Sequence, residues 1–312
     1  MKKAQTTSTI VMVRPANFGF NVETAENNFY QQKDARGDNE INQLAQAEFD
    51  TFVNLLRSND IEVIVIEDTA TPSKSDAIFP NNWFSTHQDG TVILYPMFSR
   101  NRRLERRKDI LEILMSEGFK INEVVDLSFF EQDNQFLEGT GSLIFDRVND
   151  IAYACKSIRT QDIPLQYLAR LLSYEICDFE ATQLIEDIPS PIYHTNVMMH
   201  VGSQVAVVCL DSVQHSSEKL KLKETLEQSG KKIIPITAKQ KFSFAGNMLE
   251  VKNTSGQSFT IMSQTAYDSL SKAQKNSILK YTKIITPDIP TIEKIGGGSV
   301  RCMMAEIFLP RD

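Results

Sequence analysis

The chain has 312 residues, 41% hydrophobic and 23% charged, with a formal net charge of -7. These are ordinary globular proportions, the length suits one large core or two average domains, and the acidic balance argues against a nucleic-acid surface. Four cysteines without pair spacing (Cys155, Cys177, Cys209, Cys302) and four unclustered histidines exclude a disulfide framework and a metal site, and no signal-peptide core or membrane-length apolar run is present. The expectation is a cytoplasmic protein with reduced thiols and neither a nucleic-acid nor a membrane partner.

In chain order, 10–13 is a short strand ended by Arg14-Pro15. The polar and aromatic segment 17–36 has no period and the size of a lid or binding loop. An amphipathic helix follows over 39–56, with Ile41, Leu44, Phe49, Phe52, Leu55 and Leu56 on its apolar side, then a β-branched strand over 61–66. Asp76 to Thr86 contains Pro80-Asn81-Asn82, and an Asp89-Gly90 turn leads into a strand over 91–95. The pattern continues with a helix at 102–117 and a strand at 121–125. Strand pairs then recur at 141–145 and 151–154, at 195–200 and 204–209, and at 247–252 and 258–261. Helices follow them at 165–172, 216–229 and 266–279, and closing strands at 232–236 and 283–285.

This is a strand-strand-helix-strand unit repeated at a period of roughly 50 to 60 residues, which signals an array or a closed ring. The N-terminal helix-strand unit lacks its own first strands, and the segment after Cys302 can supply them, making about five units. Ring closure by the two chain ends would protect sheet edges. No linker interrupts 1–312, so one domain is expected.

The chemistry-bearing residues fall at equivalent places, where each unit starts its first strand. Asn81-Asn82 opens the second unit, Glu138-Gly139-Thr140-Gly141 the third, and His194-Thr195-Asn196 the fourth. Gly296-Gly297-Gly298-Ser299-Val300-Arg301-Cys302 leads back into the first; three glycines permit a tight turn that presents a cysteine, which needs a base or a positive field to react. Each has a bland alternative: a turn for Asn81-Asn82, a solvated acid for Glu138, and a surface loop for His194, as for His87, His200 and His215. Cys302 alone could be a small core residue, and Met198-Met199 and Met303-Met304 read as core filler. In a ring the four positions converge on one axis.

Taken together these motifs resemble the pentein superfamily of guanidino-group-modifying enzymes, which includes dimethylarginine hydrolases, arginine deiminases and amidinotransferases. The resemblance implies an α/β fold, a five-bladed pseudo-symmetric propeller of ββαβ repeats. Phe79-Pro80-Asn81-Asn82-Trp83-Phe84-Ser85-Thr86-His87 together with the Gly296–Cys302 stretch is similar to the citrulline-utilisation hydrolase branch, often called amidinotransferase-like. By resemblance Cys302 is the nucleophile, His194 the general acid/base, and Glu138 the carboxylate that orients the histidine. Arg159, in Ser157-Ile158-Arg159-Thr160, corresponds to a clamp for the substrate carboxylate, and Asp76 to an aspartate at the substrate's amino-acid end. Asn81, Asn82, Asn196 and Gly141 complete the expected substrate-binding set.

Three departures from the relatives bear on substrate. Hydrolases of methylated arginine carry Glu-Asp where this chain has Asn81-Asn82. Arginine deiminases have Glu-Gly-Gly-Asp where it has Glu138-Gly139-Thr140-Gly141, and His-x-Asp where it has His194-Thr195-Asn196. A guanidinium needs carboxylates to leave water, whereas a neutral ureido group suits amide donors and acceptors. The pattern therefore favours citrulline, hydrolysed to ornithine, ammonia and carbon dioxide without metal or organic cofactor. In this reading Glu138 favours the imidazolium of His194, and the imidazolium favours the Cys302 thiolate. Arginine or methylarginine hydrolysis and amidino transfer are the alternatives. A binding-only protein, like the ribosome anti-association factor of that fold, would have no reason to keep Cys, His and Glu at converging positions. A homo-oligomer is compatible with all of these.

Overall fold

The computed structural model describes residues 3–311. The chain opens with β1 (Thr9–Arg14), α1 (Val22–Ala25), α2 (Asp38–Arg57) and β2 (Glu62–Glu67). Next come β3 (Phe84–Thr86), β4 (Thr91–Leu94), α3 (Asp109–Ser116) and β5 (Glu123–Asp126). The third unit holds α4 (Gly139–Ser142), β6 (Leu143–Asp146), β7 (Ile151–Cys155), α5 (Asp162–Leu172) and β8 (Glu175–Phe179). A hairpin of β9 (Thr182–Ile185) and β10 (Ile188–Pro191) precedes β11 (Met199–Val201), β12 (Val205–Val208), α6 (Ser216–Gln228) and β13 (Lys232–Pro235). The chain finishes with α7 (Ala238–Phe242), β14 (Leu249–Lys252), β15 (Ser258–Ile261), α8 (Gln264–Ser269), α9 (Lys272–Leu279), β16 (Lys283–Ile285), α10 (Pro290–Gly296) and β17 (Ala305–Glu306).

Apart from the hairpin, these strands form three-stranded sheets of one design: β17-β1-β2, β3-β4-β5, β6-β7-β8, β11-β12-β13 and β14-β15-β16. The first strand pairs antiparallel with the second, as in Phe84 opposite Leu94, so a tight turn suffices between them. The third strand runs parallel to the second, as in Ile93 beside Val125, and the intervening chain crosses over through helix. In the first sheet the antiparallel partner comes from the far end of the sequence, with Ile10 opposite Glu306. First strands neighbour one another, β3 beside β17, β6 beside β11 and β11 beside β14. Among the described residues no helix is long and apolar enough to cross a membrane.

Helix α2 shows how a unit is held. Its buried residues Ile41, Ala45, Phe49, Phe52, Val53 and Leu56 recur at helical spacing. They share one apolar cluster with Ile10 and Met12 of β1, Ile292 and Ile295 of α10, and Cys302. Asp38 and Glu40 in its first turn and Arg57 in its last suit the helix dipole. The core that positions Cys302 is thus assembled from both chain ends.

Several sequence expectations change. The helix at 102–117 is a 3-10 turn over Asn101–Glu105 and then α3, because Arg102 and Glu105 are drawn inward and buried. The helix at 266–279 is two, since Ser271 and Gln274 form a capping box that starts α9 afresh. The strands at 141–145 and 195–200 each begin one turn late, after α4 and after a 3-10 turn over Thr195–Val197. Nothing in the pattern announced β8 or the β9-β10 hairpin. Its two-residue turn is Glu186-Asp187, both at positive φ (49° and 64°), where the usual signal is Asn-Gly or Asp-Gly.

Phe52→Ala, at a fully buried site of α2, should lower unfolding stability by about 3–5 kcal/mol. Chemical denaturation measures this; a loss below about 1 kcal/mol would mean the site repacks freely.

Candidate active site

Four backbone turns build the site, and side chains tie each to the next. Thr140 Oγ1 donates to the Asn81 carbonyl at 3.2 Å. Thr195 Oγ1 donates to the Ser142 carbonyl at 2.5 Å and accepts from Cys155 N. Asn247 Nδ2 donates to the Asn196 carbonyl at 3.1 Å, and Asn247 Oδ1 accepts from Arg301 N at 3.0 Å. Gly139 has φ +45°, and a Cβ there would lie 2.4 Å from the Asn81 carbonyl oxygen. Glycine is required because that backbone passes directly over it.

Glu138 is wholly buried. Its Oε2 accepts from His194 Nε2 at 2.8 Å and Arg159 Nη1 at 3.4 Å, and its Oε1 from Phe98 N at 2.9 Å. Burial alone would raise the carboxyl, but the Arg159 guanidinium, the His194 hydrogen bond and Arg102 outweigh it and hold it well below the usual carboxylate range. Glu138 is therefore a carboxylate at neutral pH. For His194 burial wins: it lowers the imidazole to about 4, and Glu138 only partly opposes this, while Arg159 and Arg102 add to it. Glu138 does favour the protonated ring, as expected, but desolvation of the buried cation, with Arg159 and Arg102 nearby, costs more than one carboxylate returns. With Nε2–H donating to Glu138, Nδ1 of the neutral ring carries the lone pair. A Cβ at Gly141 would come within 2.8 Å of His194 Nδ1 and Cε1, and within 2.4 Å of Asn82 Nδ2. Gly141 thus leaves room for the histidine and the amide; its expected substrate contact is not among the cavity-lining residues.

Cys302 follows the glycine turn as a buried residue, its N–H on the Ser299 carbonyl at 2.9 Å. Its Sγ lies 3.4 Å from both Asn196 Nδ2 and Asn247 Nδ2. The glycines permit close packing: a Cβ at Gly296 or Gly298 would run into the Phe79 ring, at 2.8 and 2.9 Å. The other cysteines, Cys155, Cys177 and Cys209, are free and buried.

Cys302, His194, Arg159, Asp76 and Asn82 line one cavity of about 20 Å³, joined by Arg102. Arg102 donates to Asn82 Oδ1 at 2.8 Å, to both oxygens of Glu105 at 2.9 and 2.8 Å, and lies 3.6 Å from Asp76. Burial raises the Asp76 carboxyl, against Arg102 and the Asn21 hydrogen bond. The cavity holds about one water, and the segment 17–36 closes it. Asn21 Nδ2 donates to Asp76 at 2.8 Å. Arg159 donates to Asn27 Oδ1 at 2.8 Å and to the Thr24 carbonyl at 3.2 Å. Asn28 and Gln31 donate to the carbonyls of Gly296 and Ile295 at 3.3 and 3.2 Å.

Of the expected residues, Glu138 stands behind His194, and Asn196 beside Cys302. Asn81 is buried outside the cavity lining, and neither atom of its side-chain amide has a protein partner. Arg102, Asn247 and the lid residues were not foreseen. Arg102 sits in the run Arg100, Arg102, Arg103, Arg106, Arg107, which reads as a solvated face; Asn247 has no motif around it. Among the described residues no group of three or more His, Cys, Asp or Glu is placed to hold a metal.

A family model described as N,N dimethylarginine dimethylhydrolase, eukaryotic, matches residues 14–309. The chain belongs to that family, hydrolases of a non-peptide C–N bond, and with it to the pentein superfamily. No curated protein matches the sequence. Among solved structures, the product-bound N-terminal domain of ArgZ, an arginine dihydrolase from the ornithine-ammonia cycle in cyanobacteria, is 16% identical with a TM-score of 0.71, over 97% of this chain and 99% of that one. Apo ArgZ is 17% identical with a TM-score of 0.66, over 96% of this chain and 39% of that one, so this chain spans about two fifths of it. A dimethylarginine dimethylaminohydrolase variant in adduct with S-methyl-L-thiocitrulline is 13% identical with a TM-score of 0.63, over 96% and 99%. These likenesses show a shared fold.

The His194 imidazole should titrate near pH 4 rather than near 6.5. Assigned by comparison with His194→Gln, its NMR shifts should be those of a neutral ring at pH 7. Glu138→Gln should move the midpoint lower still, because the carboxylate is what raises it. A midpoint at or above 6.5 would show that Glu138 outweighs burial.

Proposed function

We propose that this member of the dimethylarginine dimethylhydrolase family hydrolyses the ureido or guanidino group of an arginine-like amino acid through a covalent bond to Cys302, with citrulline as the preferred substrate. One observation carries the reading: a cysteine, a carboxylate-bound histidine and two arginines meet in one closed cavity. A thiol and a base suit attack on a resonance-stabilised carbon, and arginines suit an α-carboxylate. We infer further that the five sheets are the blades of one closed propeller spanning a single domain. The neighbouring first strands and the tied turns support this, and a solution scattering profile of a compact ring-like particle is its check.

The reaction balances without a cofactor. Cys302 passes its proton to neutral His194 and attacks the ureido carbon of citrulline. His194 returns the proton to the departing Nδ, which leaves as ornithine, and a carbamoyl group remains on sulfur. His194 then takes a proton from water, whose oxygen attacks that group. Cys302 departs as thiol, and the carbamic acid released falls to ammonia and carbon dioxide. A neutral resting His194 is the state that can accept the first proton. Asn82, as an amide, can donate to or accept from a neutral ureido group, its Nδ2 being without a protein partner. Arg159 is the candidate α-carboxylate clamp and Asp76 the candidate partner of the α-amino group. Arg102, already neutralised by Glu105, shares the clamp.

Arginine remains the second reading, because Glu138 and Asp76 are acids beside the same cavity and could hold a guanidinium. Purified enzyme on citrulline, arginine and methylated arginines decides. Preference for citrulline should be on the order of a hundredfold in kcat/KM, since a buried cation without a dedicated carboxylate costs several kcal/mol. Equal turnover of arginine would show that Asn82 does not select charge. Cys302→Ala should abolish turnover while the protein stays folded; near-normal activity would remove Cys302 from the mechanism. Arg159→Ala should reduce kcat/KM on every substrate alike.

A further inference from the structure

We propose that Asn247 is a catalytic residue: its carboxamide, with that of Asn196, stabilises the thiolate that forms as Cys302 passes its proton to His194. This rests on Cys302 being the nucleophile.

A thiolate is favoured by nearby donors or positive charge. Among the groups around Cys302, the cations are already answered. Arg159 faces Glu138, and Arg102 faces Glu105 and Asp76. The imidazole is neutral. Two amide nitrogens stand nearest the sulfur at 3.4 Å, from Asn196 and Asn247, while Asn247 Oδ1 lies farther off at 3.9 Å, where it can accept from the thiol. Both side chains are buried, so their dipoles act in a medium that screens them weakly.

The orientation of the Asn247 amide is fixed by its neighbours. Its Oδ1 accepts the N–H of Arg301, the residue before the cysteine. Its Nδ2 donates to the Asn196 carbonyl. A flipped amide would set NH₂ against that N–H and oxygen against that carbonyl. Nδ2 therefore faces the sulfur of necessity. One side chain grips the backbone before Cys302, the backbone that carries Asn196, and Sγ itself. Asn196 differs, since its Oδ1 has no protein partner and can accept from a substrate N–H. Asn247 has no spare atom for substrate, and its contribution is to the sulfur.

The test reads the sulfur directly. The rate of Cys302 alkylation by iodoacetamide is followed by mass spectrometry across pH, with Cys302→Ala as the assignment control. Asn247→Asp keeps the acceptor for Arg301 N but puts a negative charge at the sulfur. Its midpoint should rise by about one unit or more, slowing alkylation at pH 7 about tenfold. Asn247→Ala removes the donor without adding charge and should give a smaller rise. In both, kcat should fall with KM little changed. An alkylation profile unchanged from wild type in a folded Asn247 variant overturns the proposal. Should Asn247→Asp not fold, Asn247→Ala decides. If instead Cys302→Ala keeps full turnover, the nucleophile assignment fails, independently of what the alkylation shows.

Discussion

The site depends on one repeated interaction: a polar side chain from one unit bonded to the backbone of the next. Thr140 reaches back to Asn81, Thr195 to Ser142, and Asn247 to both Asn196 and Arg301. At the remaining junction Thr86 Oγ1 donates to the Glu306 carbonyl and accepts from Phe308 N. Each bond satisfies a backbone group that would otherwise be buried without a partner, which gives it a high cost of loss. The turns they join hold Glu138, His194 and Cys302 together. A shift of one turn therefore displaces Glu138, His194 or Cys302 relative to the others.

Inside this frame, charge is arranged in neutralised sets. Glu138 is shared by His194 and Arg159; Arg102 is shared by Glu105, Asn82 and Asp76. Burying so many ionic groups stabilises the fold little, because desolvation offsets most of the attraction. What it produces is a dry pocket with two guanidinium groups in place and a histidine left neutral by its own burial. The neutral ring keeps a free lone pair on Nδ1, and two amide nitrogens stand at the sulfur.

The segment 17–36 covers the pocket and leaves room for about one water, and its polar residues bond the charged groups that line it. Asn27 and the Thr24 carbonyl sit on Arg159, and Asn21 sits on Asp76. An amino acid's carboxylate and ammonium could replace these partners one for one.

The repeat, the strand-strand-helix-strand order and the convergence of Cys302, His194 and Glu138 were legible in the chain alone. They rest on local properties: alternation and helical spacing record one buried face per element, and glycines before Cys302 record a turn that no side chain could follow. The family was legible in the same motifs, together with Cys302, His194, Glu138, Asp76 and Arg159 as cavity or near-cavity residues. Only the tertiary structure decided the rest. Arg102 looks like its neighbours in an arginine-rich run until Glu105 and Asn82 draw it inward. Asn247 has no local signature, because its role comes from units that meet across the fold. Asn81 and Asn82 are adjacent in sequence, yet one lines the cavity and the other lies outside it, a division set by which way a 3-10 turn points them. For His194 the motif shows the carboxylate that favours the protonated ring, while the burial and the two arginines that oppose it belong to the assembled fold.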